Sequence, residues 1–336
     1  MKAILDKITR RESLTRGEAR AACELIMSGA ATTAQIAGFL CALRTKGETV
    51  DEVTGMAECM RARMVKIDLA CDDAVDCCGT GGDGSNSFNI STAAGIVAAG
   101  AGAKVAKHGN RSVSSQCGSA DLLGALGIRY DGDAAQVQDD FTRLGLCFMF
   151  APRFHPAVAN GMTARRELGV RTVFNILGPT ANPAGVTHQV VGVYDHGILR
   201  VMAETLRNLG CKRALVVRSR DGLDEISPAA VTDAIEIHGG MLSERTIDPT
   251  EFGVLPRPQM NTGGSAEDNA RLLREVLGGD KSPVRDAVAL NAGATLYVAG
   301  VASTLQDGFT RAQACITDGA ALEVLKRWQD SHAQRK

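Results

Sequence analysis

The chain has almost no net charge. Its 37 Lys and Arg residues oppose 38 Asp and Glu, leaving a formal charge of -1. That excludes a nucleic-acid binder relying on a broad basic surface, though not a local basic pocket. Ten cysteines are scattered apart from the vicinal pair Cys77-Cys78, and none forms a Cys-x-x-Cys unit with a partner at zinc spacing. Disulfides are not expected, because the opening Met1-Lys2-Ala3-Ile4-Leu5-Asp6-Lys7 is charged too early for a secretory signal. Ala287 to Gln306 carries no charge but is interrupted by Asn291, Gly293, Thr295, Ser303, Thr304 and Gln306. It reads as a buried core helix rather than a membrane span. The chain has no internal repeat, no low-complexity tract and no Gly-Lys-Ser/Thr of a Walker-type loop. A cytoplasmic globular protein is the expectation.

What is present is an ordinary globular composition, with 45% hydrophobic and 22% charged residues over 336 positions. That length suits one large domain or, better, two. Residues 1–65 read as helices only. Thr15-x-x-Glu18 is a capping box before a helix ending near Gly29. A second helix starts at Thr32 or Thr33, with Ile36, Phe39, Leu40 and Leu43 on one face, and stops at Gly47. Thr49-x-x-Glu52 opens a third, bearing Val53, Met56, Met60 and Met64 at helical spacing. That methionine stripe reads as core or interface filling.

From residue 74 the pattern changes to alternating strands and helices. Strands are expected at Ala74 to Cys78, Ala103 to Ala106, Gln189 to Val193 and Ala214 to Val217. Helices are expected at Thr92 to Ala101, Ala120 to Leu126 and Leu199 to Leu209, and again from Ser265 onward. Such alternation implies a mainly parallel sheet covered by helices, with ligands beyond the carboxyl ends of the strands.

Two glycine-rich stretches fall at those ends. Gly79-Thr80-Gly81-Gly82-Asp83-Gly84 runs into Ser85-Asn86-Ser87-Phe88-Asn89-Ile90-Ser91-Thr92, and Lys107-His108-Gly109-Asn110-Arg111 into Ser112-Val113-Ser114-Ser115. Glycines let backbone N–H groups approach an anion, and hydroxyls and cations complete a phosphate site. Gly79-x-Gly81-x-x-Gly84 formally matches a dinucleotide fingerprint. However, the second strand ends in basic Lys107-His108 where that fold needs an acid for the ribose. Asn89, Ser91 and Thr92 stand at a helix start, where one of them would cap and the others are free to bind. Asp83 is either a turn former or a residue facing sugar hydroxyls or developing positive charge. His155 reads as structural, and His108 as packed rather than catalytic. Asp221-Gly222-Leu223-Asp224-Glu225 follows a strand and suits Mg²⁺, with an acidic surface turn as the alternative. Arg165-Arg166 is either solvent-exposed or a fork for a carboxylate substrate.

Taken together, these segments resemble the anthranilate phosphoribosyltransferase family. The resemblance extends through Phe150-Ala151-Pro152-Arg153-Phe154-His155-Pro156, Arg165-Arg166-Glu167-Leu168-Gly169-Val170-Arg171-Thr172-Val173-Phe174-Asn175 and Asn291-Ala292-Gly293, and so covers essentially the whole chain. It implies a nucleoside phosphorylase/phosphoribosyltransferase-like α/β fold: a small all-helical domain plus a large α/β domain with a mainly parallel central sheet. The division falls at 1–68 and 72–336, with further helices from about 165–185 packing on the small domain. It implies transfer of the phosphoribosyl group of phosphoribosyl pyrophosphate to the amino nitrogen of anthranilate, in tryptophan biosynthesis. The donor would be held by Gly79, Gly82, Asp83, Ser87, Asn89, Ile90, Ser91, Thr92, Lys107, His108, Gly109, Asn110, Arg111, Ser112, Val113, Ser114, Ser115 and Ser119. Gly79, Asn110 and Arg165 would meet anthranilate, and Ser91, Asp224 and Glu225 would bind Mg²⁺, generally two ions. A homodimer joined through the helical part is implied, without nucleic-acid or membrane partners. The sequence departs from the family pattern at Ser87, usually Thr, and at Thr180-Ala181, usually Leu-Thr.

An aromatic amine is largely unprotonated at neutral pH, so no obligatory general base is expected. Positioning and electrostatic stabilisation of the leaving group suffice. A pyrimidine nucleoside phosphorylase is disfavoured, since those enzymes resemble a Lys-His-Ser-Thr-Gly-Gly pattern at the second loop. A nucleic-acid-binding paralogue would be expected to carry a basic surface and damaged metal acids.

Overall fold

The computed structural model describes residues 1–112, 116–256 and 263–334. Four helices come first: α1 Lys2–Thr9, α2 Arg16–Met27, α3 Thr33–Lys46 and α4 Val50–Arg63. Capping boxes start the last three, at Thr15/Glu18, Thr32/Gln35 and Thr49/Glu52, each satisfying N–H groups that a helix start leaves open. Glu52 is fully buried and does more than cap: it accepts from Leu14 N at 2.9 Å and from Lys46 Nζ at 2.9 Å. Helices α2 and α4 pack so closely that a Cβ on Gly55 would lie 2.1 Å from the Arg16 carbonyl oxygen.

Beyond this bundle lies one seven-stranded sheet. Its strands are β1 Val75–Gly79, β2 Val105–Gly109, β3 Leu146–Phe150, β4 His188–Gly192, β5 Arg213–Ser219, β6 Thr232–His238 and β7 Met241–Ile247, in the order β3-β2-β1-β4-β5-β6-β7. The first five run parallel, while β6 and β7 are antiparallel additions at one edge. Side-chain alternation assigns the faces. Val190, Leu215 and Val217 pack under the helices Ile90–Gly100, Ala266–Leu277 and Pro283–Val298. Val191, Val193, Ala214 and Val216 join the core of the helical bundle through helix Leu199–Asn208. Ala164 of helix Met162–Leu168, and Val173, Phe174, Ile176 and Leu177 of helix Val173–Leu177, sit in that same bundle core.

The small helical unit and the mainly parallel α/β unit are thus as the sequence implies. Some boundaries differ. The second strand starts at Val105, because Ala103 N turns back to the Ala98 carbonyl at 2.9 Å and pairing begins with Val105 N on Gly145 O at 2.8 Å. The uncharged stretch is a buried helix only to Val298, and Gly300 (φ +76°) breaks the chain there. Strands β3, β6 and β7 have no counterpart in the sequence reading. All ten cysteines are free, and no described helix is long and apolar enough to cross a membrane.

Candidate active site

The carboxyl ends of β1 and β4 lie side by side, with Gly79 and Gly192 in register. Both must be glycine for the same reason. A Cβ on Gly192 would lie 1.5 Å from the Asp224 carbonyl oxygen, and one on Gly79 would lie 2.8 Å from Asp224 Oδ2. The gap at the strand ends admits the segment after β5, and with it Asp224. Gly81 N donates to Asp224 Oδ2 at 3.0 Å, and Asp224 N donates to Asp83 Oδ2 at 3.3 Å. Gly81, Gly82 and Gly84 have φ of +62°, +75° and +81°, the left-handed backbone that turns the loop's N–H groups inward.

The loop and the β5 segment bring three acids together. One carboxylate oxygen each from Asp83, Asp224 and Glu225 lies within 4.8 Å of the others. Burial, then the charge of Asp83, pushes the Asp224 carboxyl up to about 6. Burial, then Asp224 and Asp83, pushes Glu225 well above the carboxylate range. Glu225 Oε2 is buried with no hydrogen-bond partner. Three clustered carboxylates, one with an orphaned oxygen, fit a divalent cation with oxygen ligands. Asn291, on the buried helix Pro283–Val298, fixes the chain just past them. It accepts from Ile226 N at 3.1 Å and donates to the Ile226 carbonyl at 2.9 Å.

Lys107 enters from β2. Its buried ammonium donates to the Cys77 carbonyl and, at 3.3 Å, to Ser91 Oγ. Ser91 in turn lines a small cavity with Asp224, Glu225 and Asn291. Ser91 stands in the first turn of helix Ile90–Gly100. Asn89 occupies the N-cap position without capping: its Nδ2 donates to the Cys117 carbonyl at 3.1 Å instead. The first-turn N–H groups therefore keep their positive end toward the site. Thr92 Oγ1 donates to Ser119 Oγ at 3.0 Å, linking this helix to the second loop.

Other candidate positions spread outward. Phe88 and Ile90 bury their side chains in the core, leaving only backbone for a ligand. Ser87 N donates to Ser85 Oγ at 3.1 Å, and Gly263 N closes on the Asn86 carbonyl at 2.7 Å. A Cβ on Gly109 would lie 2.6 Å from the Phe148 ring, so glycine is needed for packing there. Asn110 Oδ1 accepts from Arg111 N at 2.7 Å. Arg111 folds back on Tyr130 and Asp121, and Ser112 N donates to Asp121 Oδ2 at 3.0 Å. Val113, Ser114 and Ser115 lie outside the described residues.

His108 points to the opposite sheet face from Lys107. Its ring is 5.1 Å from that of His155, and both imidazoles are buried. Burial, then the His155 charge, lowers His108 to about 3, and burial lowers His155 to about 4. The His108 side chain belongs to the packed layer behind the sheet. Arg165 is partly buried over the Phe174 ring, 5.0 Å from its centre, whereas Arg166 is exposed, so the two do not form a fork. The departing pair is accommodated: Thr180 Oγ1 donates to the Leu177 carbonyl at 2.7 Å, and Ala181 is fully buried.

The sequence left Asp83 open between a turn former and a residue facing the sugar or its developing charge. It forms the expected turn, accepting from Ser85 N at 3.0 Å, yet its other oxygen faces the acidic cluster. Asp221 instead turns away, accepting from Ser227 Oγ at 2.5 Å. Gly192 and Asn291 received no site role from the sequence. The signal for Gly192, a glycine closing the apolar strand Val190-Val191, was present but common.

The helical bundle and the helix-covered sheet, with glycine loops and acids at its strand ends, each match a model of the glycosyl transferase family. Residues 2–64 match the helical bundle domain of the glycosyl transferase family, and residues 71–322 match its a/b domain. The chain is 47% identical over 328 residues to an anthranilate phosphoribosyltransferase of Alkaliphilus metalliredigens, covering 97% of each. Its fold superposes on the anthranilate phosphoribosyltransferase of Thermus thermophilus with a TM-score of 0.92, at 39% identity and over 98% of this chain and 99% of that one. The Saccharomyces cerevisiae enzyme, solved in complex with PRPP and Mg, superposes with a TM-score of 0.87 at 27% identity over 99% of each chain. The same yeast enzyme is also solved with 4-fluoroanthranilate. The chain belongs to the anthranilate phosphoribosyltransferase family.

Proposed function

We infer that the chain transfers the phosphoribosyl group of phosphoribosyl pyrophosphate to the amino nitrogen of anthranilate, releasing pyrophosphate, in tryptophan biosynthesis. The observation that carries this reading is the meeting of Asp83, Asp224 and Glu225 at a glycine loop beside the uncapped start of helix Ile90–Gly100. Acids alone would repel a polyphosphate. Acids that gather Mg²⁺, flanked by N–H groups and Lys107, can hold one. Asp83, Asp224 and Glu225, with the Ser91 hydroxyl beside them, are the residues for Mg²⁺, and two ions suit three carboxylates. When bound, Mg²⁺ would offset the negative charge that builds on the departing pyrophosphate.

The remaining chemistry belongs to the chain. The inward N–H groups of the first loop, Ser91, Thr92 and Lys107 orient the donor; Ser87, Asn89 and the backbone of Ile90 extend that contact. The second loop, Gly109 to Ser115, with Ser119, completes it. Asn110, Gly79 and Arg165 position anthranilate, whose carboxylate suits the partly desolvated Arg165 guanidinium. Burial lowers the Arg165 pKa, and an anion there would favour its charged form. The amine attacks the anomeric carbon as the bond to pyrophosphate breaks, and the cationic nitrogen so formed then gives up one proton to solvent or to the departing pyrophosphate. No side chain has to remove its proton beforehand, because an aromatic amine is already neutral. His108 and His155, held neutral and buried on the far side of the sheet, fit that absence of a base.

The division into 1–68 and 72–336, action in the cytoplasm and a homodimer joined through the helical unit complete the reading, on the strength of the family resemblance. Anthranilate fluorescence tests the reaction. It should fall with purified protein only when phosphoribosyl pyrophosphate and Mg²⁺ are both added. No change with both present would overturn the assignment.

A further inference from the structure

Arg171 has no place among the residues assigned above, yet it lies on the first glycine loop. A Cβ on Gly82 would lie 3.2 Å from Arg171 Nε, so the glycine leaves room for this side chain. The guanidinium stacks 4.6 Å above the Tyr194 ring. Tyr194 is itself tied to the loop, since its N–H donates to Thr80 Oγ1 at 2.9 Å. Arg171 is exposed, and among the described residues no carboxylate pairs with it within 4.0 Å. It reaches the loop from the connection between helices Met162–Leu168 and Val173–Leu177, both packed on the small helical unit. A cation held by an aromatic platform, without a carboxylate partner among the described residues, and placed against Gly82, the residue before Asp83 in the loop, is arranged for an incoming anion.

We propose that Arg171 is a further substrate-positioning residue, meeting the pyrophosphate group of the donor at the Gly81-Gly82 turn, with Tyr194 holding it there. The proposal rests on the phosphoribosyl-transfer reading. Arg171's position beside the loop that contributes Asp83 favours pyrophosphate over the carboxylate of anthranilate, for which Arg165 stands ready over Phe174. A planar guanidinium can bind two phosphoryl oxygens at once, which a lysine cannot reproduce.

The test compares wild type with Arg171→Gln, Arg171→Lys, Tyr194→Phe and Tyr194→Leu. Calorimetric titration with inorganic pyrophosphate and Mg²⁺ gives a readout independent of turnover. Arg171→Gln should weaken pyrophosphate about tenfold or more and raise the donor KM similarly, with the anthranilate KM within about threefold of wild type. Arg171→Lys should recover part of the loss. Tyr194→Phe keeps the ring and should retain the wild-type pyrophosphate affinity, whereas Tyr194→Leu, which removes the platform from a buried position, should repeat the Arg171→Gln loss of pyrophosphate affinity. Unchanged pyrophosphate affinity in Arg171→Gln would overturn the proposal. So would an equal or greater loss for anthranilate, which would place Arg171 on the acceptor. Wild type that consumes no anthranilate would instead overturn the reading beneath it, so the two failures are separable.

Discussion

Gly192→Ala is the sharpest steric test of how the site is built. The added methyl would sit 1.5 Å from the Asp224 carbonyl oxygen and 2.6 Å from its carbonyl carbon. Both are backbone atoms, so no rotamer change relieves the clash. To restore ordinary contact the Asp224 backbone must retreat by about 2 Å. That movement removes the Gly81 N bond to Asp224 Oδ2 and the Asp224 N bond to Asp83, and strains the Asn291 clamp on Ile226. Two lost bonds and an overpacked strand end cost about 2–4 kcal/mol together. Displacing a reacting group by about 1 Å already costs on the order of a hundredfold in rate, so kcat/KM should fall at least that much. Urea unfolding and the anthranilate fluorescence assay measure the two effects. Gly17→Ala, where a Cβ would meet nothing within 4 Å in helix α2, is the control and should be neutral or slightly stabilising. Wild-type stability and kcat/KM in Gly192→Ala would refute the account of how Asp224 is admitted.

Four further outcomes follow from the same geometry. Asn291→Ala removes both side-chain bonds to Ile226 and should cost about 1–3 kcal/mol in urea unfolding while reducing Mg²⁺ affinity in a calorimetric titration. Lys107→Met leaves the Cys77 carbonyl without its ammonium donor and should lower kcat/KM for the donor by about a hundredfold or more, with wild-type kinetics as the contrary result. Arg165→Ala should raise the anthranilate KM about tenfold more than the donor KM; equal changes would remove Arg165 from the acceptor. The buried His155 gives a pH signature. Its folded pKa of about 4 lies below the unfolded value of about 6.5, so the unfolded state binds more protons between these limits. Stability from this residue is complete above about pH 6.5 and falls by up to about 1.4 kcal/mol per unit as pH drops toward 4. Wild type should lose this increment relative to His155→Gln in urea unfolding at stepped pH, and parallel curves would contradict it.

The helical module was legible because its signals are local: three capping boxes and a 3.6-residue apolar period need no knowledge of the rest of the chain. The parallel strands β1, β2, β4 and β5 were legible as apolar runs entering glycine loops or followed by helices. Strands β6 and β7 were not. β7 reads Met241-Leu242-Ser243-Glu244-Arg245-Thr246-Ile247 and is mostly exposed, so it carries little apolar pattern. Its pairing is fixed by the antiparallel register with β6, not by its own composition. In the site, the glycine loops and Asp224-Glu225 could be read from residue type and position. Asp83's second role could not, because it depends on a contact with Asp224 across the fold. The same holds for Gly192, whose requirement comes from a carbonyl thirty-two residues further along the chain, and for Asn291, which reaches the site from a distant helix. His108 shows the converse case. A motif grouped it with Lys107, and strand alternation sends its side chain to the other face.

Asp83, Asp224 and Glu225 are assigned to a pyrophosphate-releasing transfer to anthranilate. The most direct measurement follows anthranilate fluorescence and pyrophosphate release in the same reaction, with Mg²⁺ present and with a chelator added. One pyrophosphate should be released for each anthranilate consumed, and neither change should occur in chelator. Anthranilate loss without matching pyrophosphate, or full activity in chelator, would contradict that assignment.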